Sequence, residues 1–385
     1  MIPYSRQWVD EEDINAVVNI LKGNWLTQGP IIEQFEHAIA EYCGVRYAVA
    51  VSSGTAALHI ACLAAGLGKG DTLWTSPNTF VASANCALYC GAELDFVDID
   101  SRTYNMDSGK LEAKLYETSK SGHLPKIVIP VHFAGQSCEM EKVQQLSKKY
   151  NFTVIEDACH AIGGGYKGGK IGSCEFSDMT VLSFHPVKII TTGEGGMILT
   201  NNNDLYQKLI LLRTHGITRD SAFMEGESEG DWYYQQIELG MNYRITDIQA
   251  ALGLSQFRRI DKFVTRRHEL AERYNKTLSD FPLTLPWQRP DTYSAFHLYV
   301  IRLKLDKLKK TRKMIFDLLR QKRIGVNVHY IPVHTQPYYK NLGFSLGDFP
   351  EAERYYNESL TIPLYPAMTD DDHEHVVSTL KELLS

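Results

Sequence analysis

Lys188 stands in Ser183-Phe184-His185-Pro186-Val187-Lys188, and Thr191-Thr192-Gly193-Glu194-Gly195-Gly196 follows it closely. Upstream, Asp157 belongs to Glu156-Asp157-Ala158-Cys159-His160, at the end of the apolar run Phe152-Thr153-Val154-Ile155. A carboxylate at a strand end and a later lysine in a glycine-rich loop are what pyridoxal 5'-phosphate chemistry requires. The amine bonds the cofactor's aldehyde, and the carboxylate keeps the pyridine nitrogen protonated so that the ring accepts electrons. For this the lysine must shed its proton, which burial or a neighbouring positive charge promotes. An exposed loop lysine is the plain alternative, but the glycines behind Lys188 permit the tight backbone approach of a built site. A buried Asp157 needs a cationic or hydrogen-bonded partner. A pyridinium supplies one, and so would a helix-capping role or a structural arginine.

Other segments fit the same chemistry. Gly54-Thr55-Ala56-Ala57-Leu58 follows a strand and opens a helix, where free backbone N–H groups bind phosphate and the Thr55 hydroxyl adds a donor. An ordinary helix cap reads the same way. Phe80, in Thr75-Ser76-Pro77-Asn78-Thr79-Phe80-Val81-Ala82, is placed to stack on a flat ring or to enter the core. His160 is either a hydrogen-bond partner of the cofactor's phenolic oxygen or a satisfied core histidine. Gly163-Gly164-Gly165-Tyr166-Lys167-Gly168-Gly169 has neither the strand-to-helix frame nor the later ribose acid of a dinucleotide loop, and reads as a hairpin turn. No P-loop, no His-Glu-x-x-His and no metal-ligand spacing occurs.

These residues need a frame. Short apolar runs at Tyr47–Val51, Thr72–Thr75, Glu93–Val97, Lys126–Val131, Thr153–Glu156, Thr180–Ser183 and Met197–Thr200 alternate with helical stretches such as Thr55–Ala65, Val81–Tyr89 and Met140–Lys149. The alternation predicts a mostly parallel sheet wrapped by helices, with ligands at the carboxyl ends of strands. Ser53-Gly54-Thr55, Asp157 and Ser183 all fall at such ends. Two amphipathic helices precede the first strand, near 10–22 and 31–43. A long helix is expected from about 245 to 277, leading into a second unit with strands at Leu298–Leu303 and Val326–Tyr330 and helices near 309–321 and 370–384. Residues 219–236 lack periodicity and read as a long loop.

The chain has 385 residues, 44% of them hydrophobic, with a formal net charge of -6. Two domains and a globular enzyme fit that length and composition. The acidic balance speaks against nucleic acid as a partner. No apolar run reaches a membrane span, and no signal peptide is visible. The seven cysteines are odd in number and unpaired in pattern, which fits reduced thiols in the cytoplasm.

Taken together, Trp25-Leu26-Thr27-Gln28-Gly29-Pro30, Ser53 through Leu58, Glu156 through His160, Ser183 through Gly196 and Gly240-Met241-Asn242-Tyr243-Arg244 resemble the DegT/DnrJ/EryC1/StrS sugar aminotransferase family along nearly the whole chain. The resemblance implies the aspartate aminotransferase fold, an α/β architecture (fold type I of pyridoxal phosphate enzymes). That fold has a large domain built on a mostly parallel seven-stranded sheet and a smaller C-terminal α/β domain. Residues 1–250 would form the N-terminal arm and large domain, and 251–385 the interdomain helix and small domain. By the same resemblance Lys188 carries the cofactor and Asp157 pairs with its ring nitrogen. Gly54, Thr55 and Ser183 hold its phosphate, and Asn242 reaches that phosphate from a second subunit. Phe80 stacks on the ring, and His160 meets its phenolic oxygen. Tyr4, Asn24, Leu26, Thr27, His329 and Tyr330 fall where the family lines its nucleotide-sugar cleft. A homodimer with shared active sites is implied. One branch has histidine in place of the lysine and dehydrates sugars, and Lys188 sets this chain outside it.

Phe80 through Asn85, Leu211 through Gly216 and Val328 through Val333 further resemble a branch of the pseudaminic acid route. Its members move the amino group of glutamate to C4 of a UDP-linked 4-keto-6-deoxy-2-acetamido sugar. Aminotransferases acting on a TDP-linked keto-deoxysugar or a UDP-linked keto-arabinose share every cofactor motif. A pyridoxal-phosphate-binding regulator is a third alternative, against which stand the acidic charge and the lack of a helix-turn-helix segment.

Overall fold

The computed structural model describes residues 1–384. Seven strands, β1 (Tyr47–Val51), β2 (Thr72–Thr75), β3 (Glu93–Phe96), β4 (Ile127–Ile129), β5 (Thr153–Asp157), β6 (Met179–Ser183) and β7 (Gly196–Thr200), form one sheet in the order β1-β7-β6-β5-β4-β2-β3. Every neighbour pair is parallel except those made by β7. The reason lies in the connections. Two helices, α1 (Glu11–Lys22) and α2 (Pro30–Cys43), precede the sheet; parallel neighbours need a crossover, and helices supply most of them: α3 (Gly54–Ala64), α4 (Ala82–Tyr89), α5 (Ser108–Ser119) and α6 (Met140–Tyr150). The segment between β6 and β7 contains no helix, so the chain turns straight back.

That reversal positions the chemistry. Val51 and Ser183 both pair with Gly196, and Asp157 pairs with Val181. The carboxyl ends of β1, β5 and β6 and the loop that carries Lys188 therefore share one edge of the sheet. Gly196 also lets the strands close up there, since a Cβ on it would lie 2.5 Å from the Ser53 carbonyl. The outer edge of β1 is covered by side chains. Glu36 accepts from Ala50 N–H at 2.7 Å, and Arg213 donates to Ala50 O at 2.9 Å while pairing with Glu36 at 2.6 Å. An open edge would otherwise invite pairing with another chain.

A second, antiparallel sheet is formed by β8 (Leu283–Thr284), β9 (Tyr299–Leu303) and β10 (Ser359–Ile362). It packs with Arg312–Gln321 and Asp370–Leu384 around Tyr274, Tyr299, Ile315, Leu360, Val376 and Leu380. The N-terminus joins this unit, because Ile2 exchanges backbone hydrogen bonds with Arg323 and Gly325.

The single long helix expected at 245–277 is two helices, Asp247–Phe257 and Ile260–Leu278. Arg259 leaves helical geometry at φ -110 and ψ 9, and its guanidinium pairs with Asp10 and with the fully buried Asp13. Val326–Tyr330 is not a ladder strand. It makes one bridge, Asn327 to Thr361. Residues 219–236 form the expected excursion, closed at its base where Ile217–Thr218 pairs with Gln235–Gln236. The glycine run at 163–169 is a hairpin, Gly165–Tyr166 on Gly169–Lys170. All seven cysteines are free. Among the described residues no helix is long and apolar enough to cross a membrane.

Candidate active site

At the shared edge, β1 runs into α3 through Ser52-Ser53. Ser53 caps the helix by accepting from Ala56 N–H at 3.1 Å. The N–H groups of Gly54 and Thr55 then have no acceptor among the described residues. Free donors on the positive end of a helix favour a phosphate. The turn is too tight for a side chain at position 54, where a Cβ would lie 3.0 Å from Ser183 Cβ and 3.3 Å from Cys159 Sγ. Ser183 Oγ is 3.2 Å from the same point, so its hydroxyl joins the two amides in one cradle.

Asp157 ends β5, and both its backbone groups are tied to the segment that follows β4: its N–H donates to Pro130 O and its carbonyl accepts from His132 N–H. Strand alternation sends Glu156 and Asp157 to opposite faces. Glu156 enters a structural network. Cys138 N–H donates to His132 Nδ1 at 3.2 Å, so the ring hydrogen sits on Nε2 and is given to Glu156 Oε2 at 2.6 Å. Burial pushes the Glu156 carboxyl up, but hydrogen bonds from His132, Ser177 and Thr180 outweigh it and hold the group below its ordinary value. Asp157 faces the cleft. Its Oδ2 accepts from Ser83 Oγ at 2.6 Å and its Oδ1 from Cys159 N–H at 3.1 Å.

Lys188 lies in the loop between β6 and β7. Its N–H donates to His185 O, and Ser5 Oγ donates to Val187 O at 3.0 Å, so the N-terminal arm steadies the loop. Burial pushes the Lys188 amine below its ordinary value, against the opposing pull of Cys159 and Asp157. Among the described residues its Nζ forms no hydrogen bond or ion pair.

Lys188, Asp157, Ser183, Gly54, Thr55, Phe80, His160, Tyr4, His329 and Tyr330 all line one cleft of about 610 Å³. Phe80 is 57% exposed and holds its ring open toward the cleft, 6.2 Å from that of Tyr330. His160 is already engaged. Ala134 N–H donates to its Nδ1 at 3.3 Å, and its Nε2–H faces Tyr330 Oη at 3.1 Å. Tyr4 packs on His329, ring centroids 5.2 Å apart. Asn24, Leu26, Thr27 and Asn242 are exposed and outside this lining. Thr79, Ser83, Cys159, His185, Glu194 and Asn327, none of them expected from the sequence as site residues, also line the cleft. Thr79 and Ser83 flank Phe80 in a segment already singled out, but a short hydroxyl side chain carries no pattern of its own.

The residues fit pyridoxal phosphate. An unpaired amine, a fixed carboxylate, an open aromatic face and a cradle of two amides and a hydroxyl surround one cavity of the right order for a cofactor and a substrate.

Two histidines of the cleft, His160 and His329, and His297 packed on His160 are held neutral. Burial, then the Lys188 charge, drives His329 down to about 3. Burial first also pushes His160 and His297 well below their ordinary value. In the unfolded chain each protonates near pH 6.5. Below that pH the unfolded state binds more protons, so the stability is complete above about pH 6.5 and is lost as pH falls toward 3. The slope is about 1.4 kcal/mol per pH unit for each histidine. Melting temperature should therefore be level above neutrality and fall steadily from pH 6.5 to 5, and His329→Asn should make the fall shallower. Calorimetry across that range tests this, and an unchanged melting temperature at pH 5 would contradict it.

A model of the DegT/DnrJ/EryC1/StrS aminotransferase family matches residues 7–381. The spore coat polysaccharide biosynthesis protein SpsC of Bacillus subtilis is 41% identical over all of this chain and 97% of its own. A UDP-4-amino-4,6-dideoxy-N-acetyl-beta-L-altrosamine transaminase of Campylobacter jejuni is 38% identical over all of this chain and 98% of its own. The solved structure of Helicobacter pylori PseC, an aminotransferase involved in the biosynthesis of pseudoaminic acid, superposes with a TM-score of 0.90 at 30% identity, covering all of this chain and 99% of that one.

Proposed function

The chain belongs to the DegT/DnrJ/EryC1/StrS aminotransferase family, and from that premise we propose that it moves the amino group of glutamate to C4 of a UDP-linked 4-keto-6-deoxy-2-acetamido sugar. It is a pyridoxal-phosphate-dependent sugar aminotransferase. The observation that carries the proposal is the unpaired Lys188 amine in one cleft with Asp157 and with the amides of Gly54 and Thr55.

Lys188 would hold the cofactor covalently. Asp157 would meet its ring nitrogen, and Gly54, Thr55 and Ser183 its phosphate. When bound, the cofactor draws electrons from the carbon that carries the exchanging amine. Released when the incoming amino group displaces it from the cofactor, Lys188 Nζ, kept toward its free-amine form by burial, would take the proton from the α-carbon of glutamate and, in the second half of the cycle, give one to C4 of the sugar. Glutamate leaves as 2-oxoglutarate, and the keto sugar leaves as an amino sugar. The walls made by Tyr4, His329 and Tyr330 exclude water and orient the sugar nucleotide.

Asn24, Leu26, Thr27 and Asn242, exposed on a single copy, would complete the site of a partner subunit in a two-fold dimer. We place the enzyme in the cytoplasm, and we divide the chain at about residue 250 into the large domain with its arm and the small domain.

The name of the Campylobacter relative supports the UDP-acetamido sugar. The name of the Bacillus relative, at a similar identity, specifies a polysaccharide but no sugar, which keeps TDP-keto-deoxysugars and UDP-keto-arabinose as alternatives. Assaying the purified protein with glutamate against these nucleotide sugars separates them. The UDP-4-keto-6-deoxy-2-acetamido sugar should give kcat/KM at least about 100-fold above the others. Equal or better turnover of a TDP sugar would replace the proposed substrate.

A further inference from the structure

We propose that Ser83 and Thr79 form a hydrogen-bond relay that fixes the plane of the Asp157 carboxylate, making them positioning residues for the reaction. The proposal rests on the aminotransferase reading above and deepens it.

The geometry comes from the segment that also supplies Phe80. β2 ends at Thr75, and residues 76–81 lead into α4. That lead is rigid. Asn78 N–H donates to Ser76 Oγ, and Asn78 Nδ2 donates to Tyr104 O. Thr79, Ser83 and Asp157 are 2%, 1% and 5% exposed, so water does not compete for their bonds.

The direction of each bond follows from the donor count. Ser83 has one hydroxyl hydrogen and three acceptors in reach, Asp157 Oδ2 at 2.6 Å, Thr79 Oγ1 at 2.7 Å and Phe80 O at 3.4 Å. The shorter, charge-assisted bond wins. An ionised carboxylate gives no hydrogen back. The contact of 2.7 Å between Thr79 Oγ1 and Ser83 Oγ must then have Thr79 as its donor. The relay runs Thr79 O–H to Ser83 O–H to Asp157 Oδ2, with Cys159 N–H on Oδ1. Each oxygen is held by one donor from the protein, which stops rotation about the carboxylate's axis and leaves a lone pair on each oxygen for the cofactor's ring nitrogen. Because Phe80 lies within the same segment, the element that faces the ring also sets the plane of the acid that meets it.

The test uses full-length enzyme loaded with pyridoxal phosphate, and three variants. Ser83→Ala should lower kcat by about 10- to 100-fold, the scale of a misaligned catalytic group, with KM for glutamate within twofold. It should also shift the pH midpoint of the cofactor's visible absorbance and speed cofactor release. Thr79→Val should give a smaller loss in the same direction, about 3- to 10-fold, and Thr79→Ser should restore it. Unchanged kcat and an unmoved absorbance midpoint in Ser83→Ala would overturn the relay. So would a Thr79→Ser variant as impaired as Thr79→Val. Should Ser83→Ala fail to fold, the two Thr79 variants decide alone. Lys188→Ala assayed beside them separates the two levels: if it is active, the aminotransferase reading falls, whereas if it is inactive beside a normal Ser83→Ala, only the relay falls.

Discussion

Lys188→Arg should lose turnover by about 10⁴-fold or more and should no longer take up the visible absorbance of bound pyridoxal phosphate. Arginine has a similar flexible aliphatic stem, and the loop is tied through Val187 O by Ser5, so the loop should stay in place. It cannot shed its proton near neutral pH. It therefore can neither bond an aldehyde nor take the proton from the donor's α-carbon in one half-reaction and deliver one to C4 of the sugar in the other. Both roles fall on one nitrogen, and general acid–base work alone is worth about 10² to 10⁴ in rate. Lys188→Ala should fail equally and, unlike arginine, should leave room for an added primary amine to restore some turnover. Steady-state assays with glutamate, and spectra of each variant mixed with cofactor, check this. Activity within tenfold of the parent in Lys188→Arg would remove the lysine from the chemistry.

Asp157→Asn should cost about 10³-fold in kcat, near the value of one preorganised electrostatic partner removed from a dry site, or about 4 kcal/mol in the barrier. Asparagine has the same shape; its oxygen can still accept from Cys159 N–H, and its Nδ2 can donate to Ser83 Oγ once that hydroxyl turns its hydrogen toward Phe80 O, so the melting temperature should move little. What it lacks is the charge that holds a proton on the ring nitrogen. The loss should appear in the glutamate half-reaction followed alone, before any sugar is added. A half-reaction rate within tenfold of the parent would assign the electrostatic role elsewhere.

The frame around these residues was legible because buried parallel strands read as short continuous apolar runs. Tyr47–Val51 and Thr72–Thr75 occur as expected, and β3 through β7 are offset by a residue or two at their ends. What pattern could not carry was long-range partnership. The helix break at Arg258-Arg259 depends on Asp10 and Asp13, far off in sequence, while the apolar spacing runs on through it. Ser359–Ile362 is an edge strand of the smaller antiparallel sheet only because Tyr299–Leu303 lies beside it, and four residues are too few to announce that. Val326–Tyr330 has strand-like composition, yet it turns toward the cleft and gives only Asn327 to a bridge.

The site divides along the same line. Lys188, Asp157, Ser183, Gly54 and Thr55 were readable because strand ends collect ligands. The commitment of His160 to Tyr330 and of Ser83 to Asp157 arises between residues 170 and 74 positions apart, which spacing does not encode. Asn24, Leu26, Thr27 and Asn242 came from resemblance alone, and in one copy they lie exposed outside the cleft lining.

The central claim is that the amine at position 188 bonds the cofactor. Treating the enzyme loaded with pyridoxal phosphate with borohydride, digesting it and sequencing the labelled peptide by mass spectrometry tests that bond directly. The pyridoxyl group should be found on Lys188, within the peptide that contains Ser183-Phe184-His185-Pro186-Val187. A label on any other lysine, with Lys188 unmodified, would contradict it.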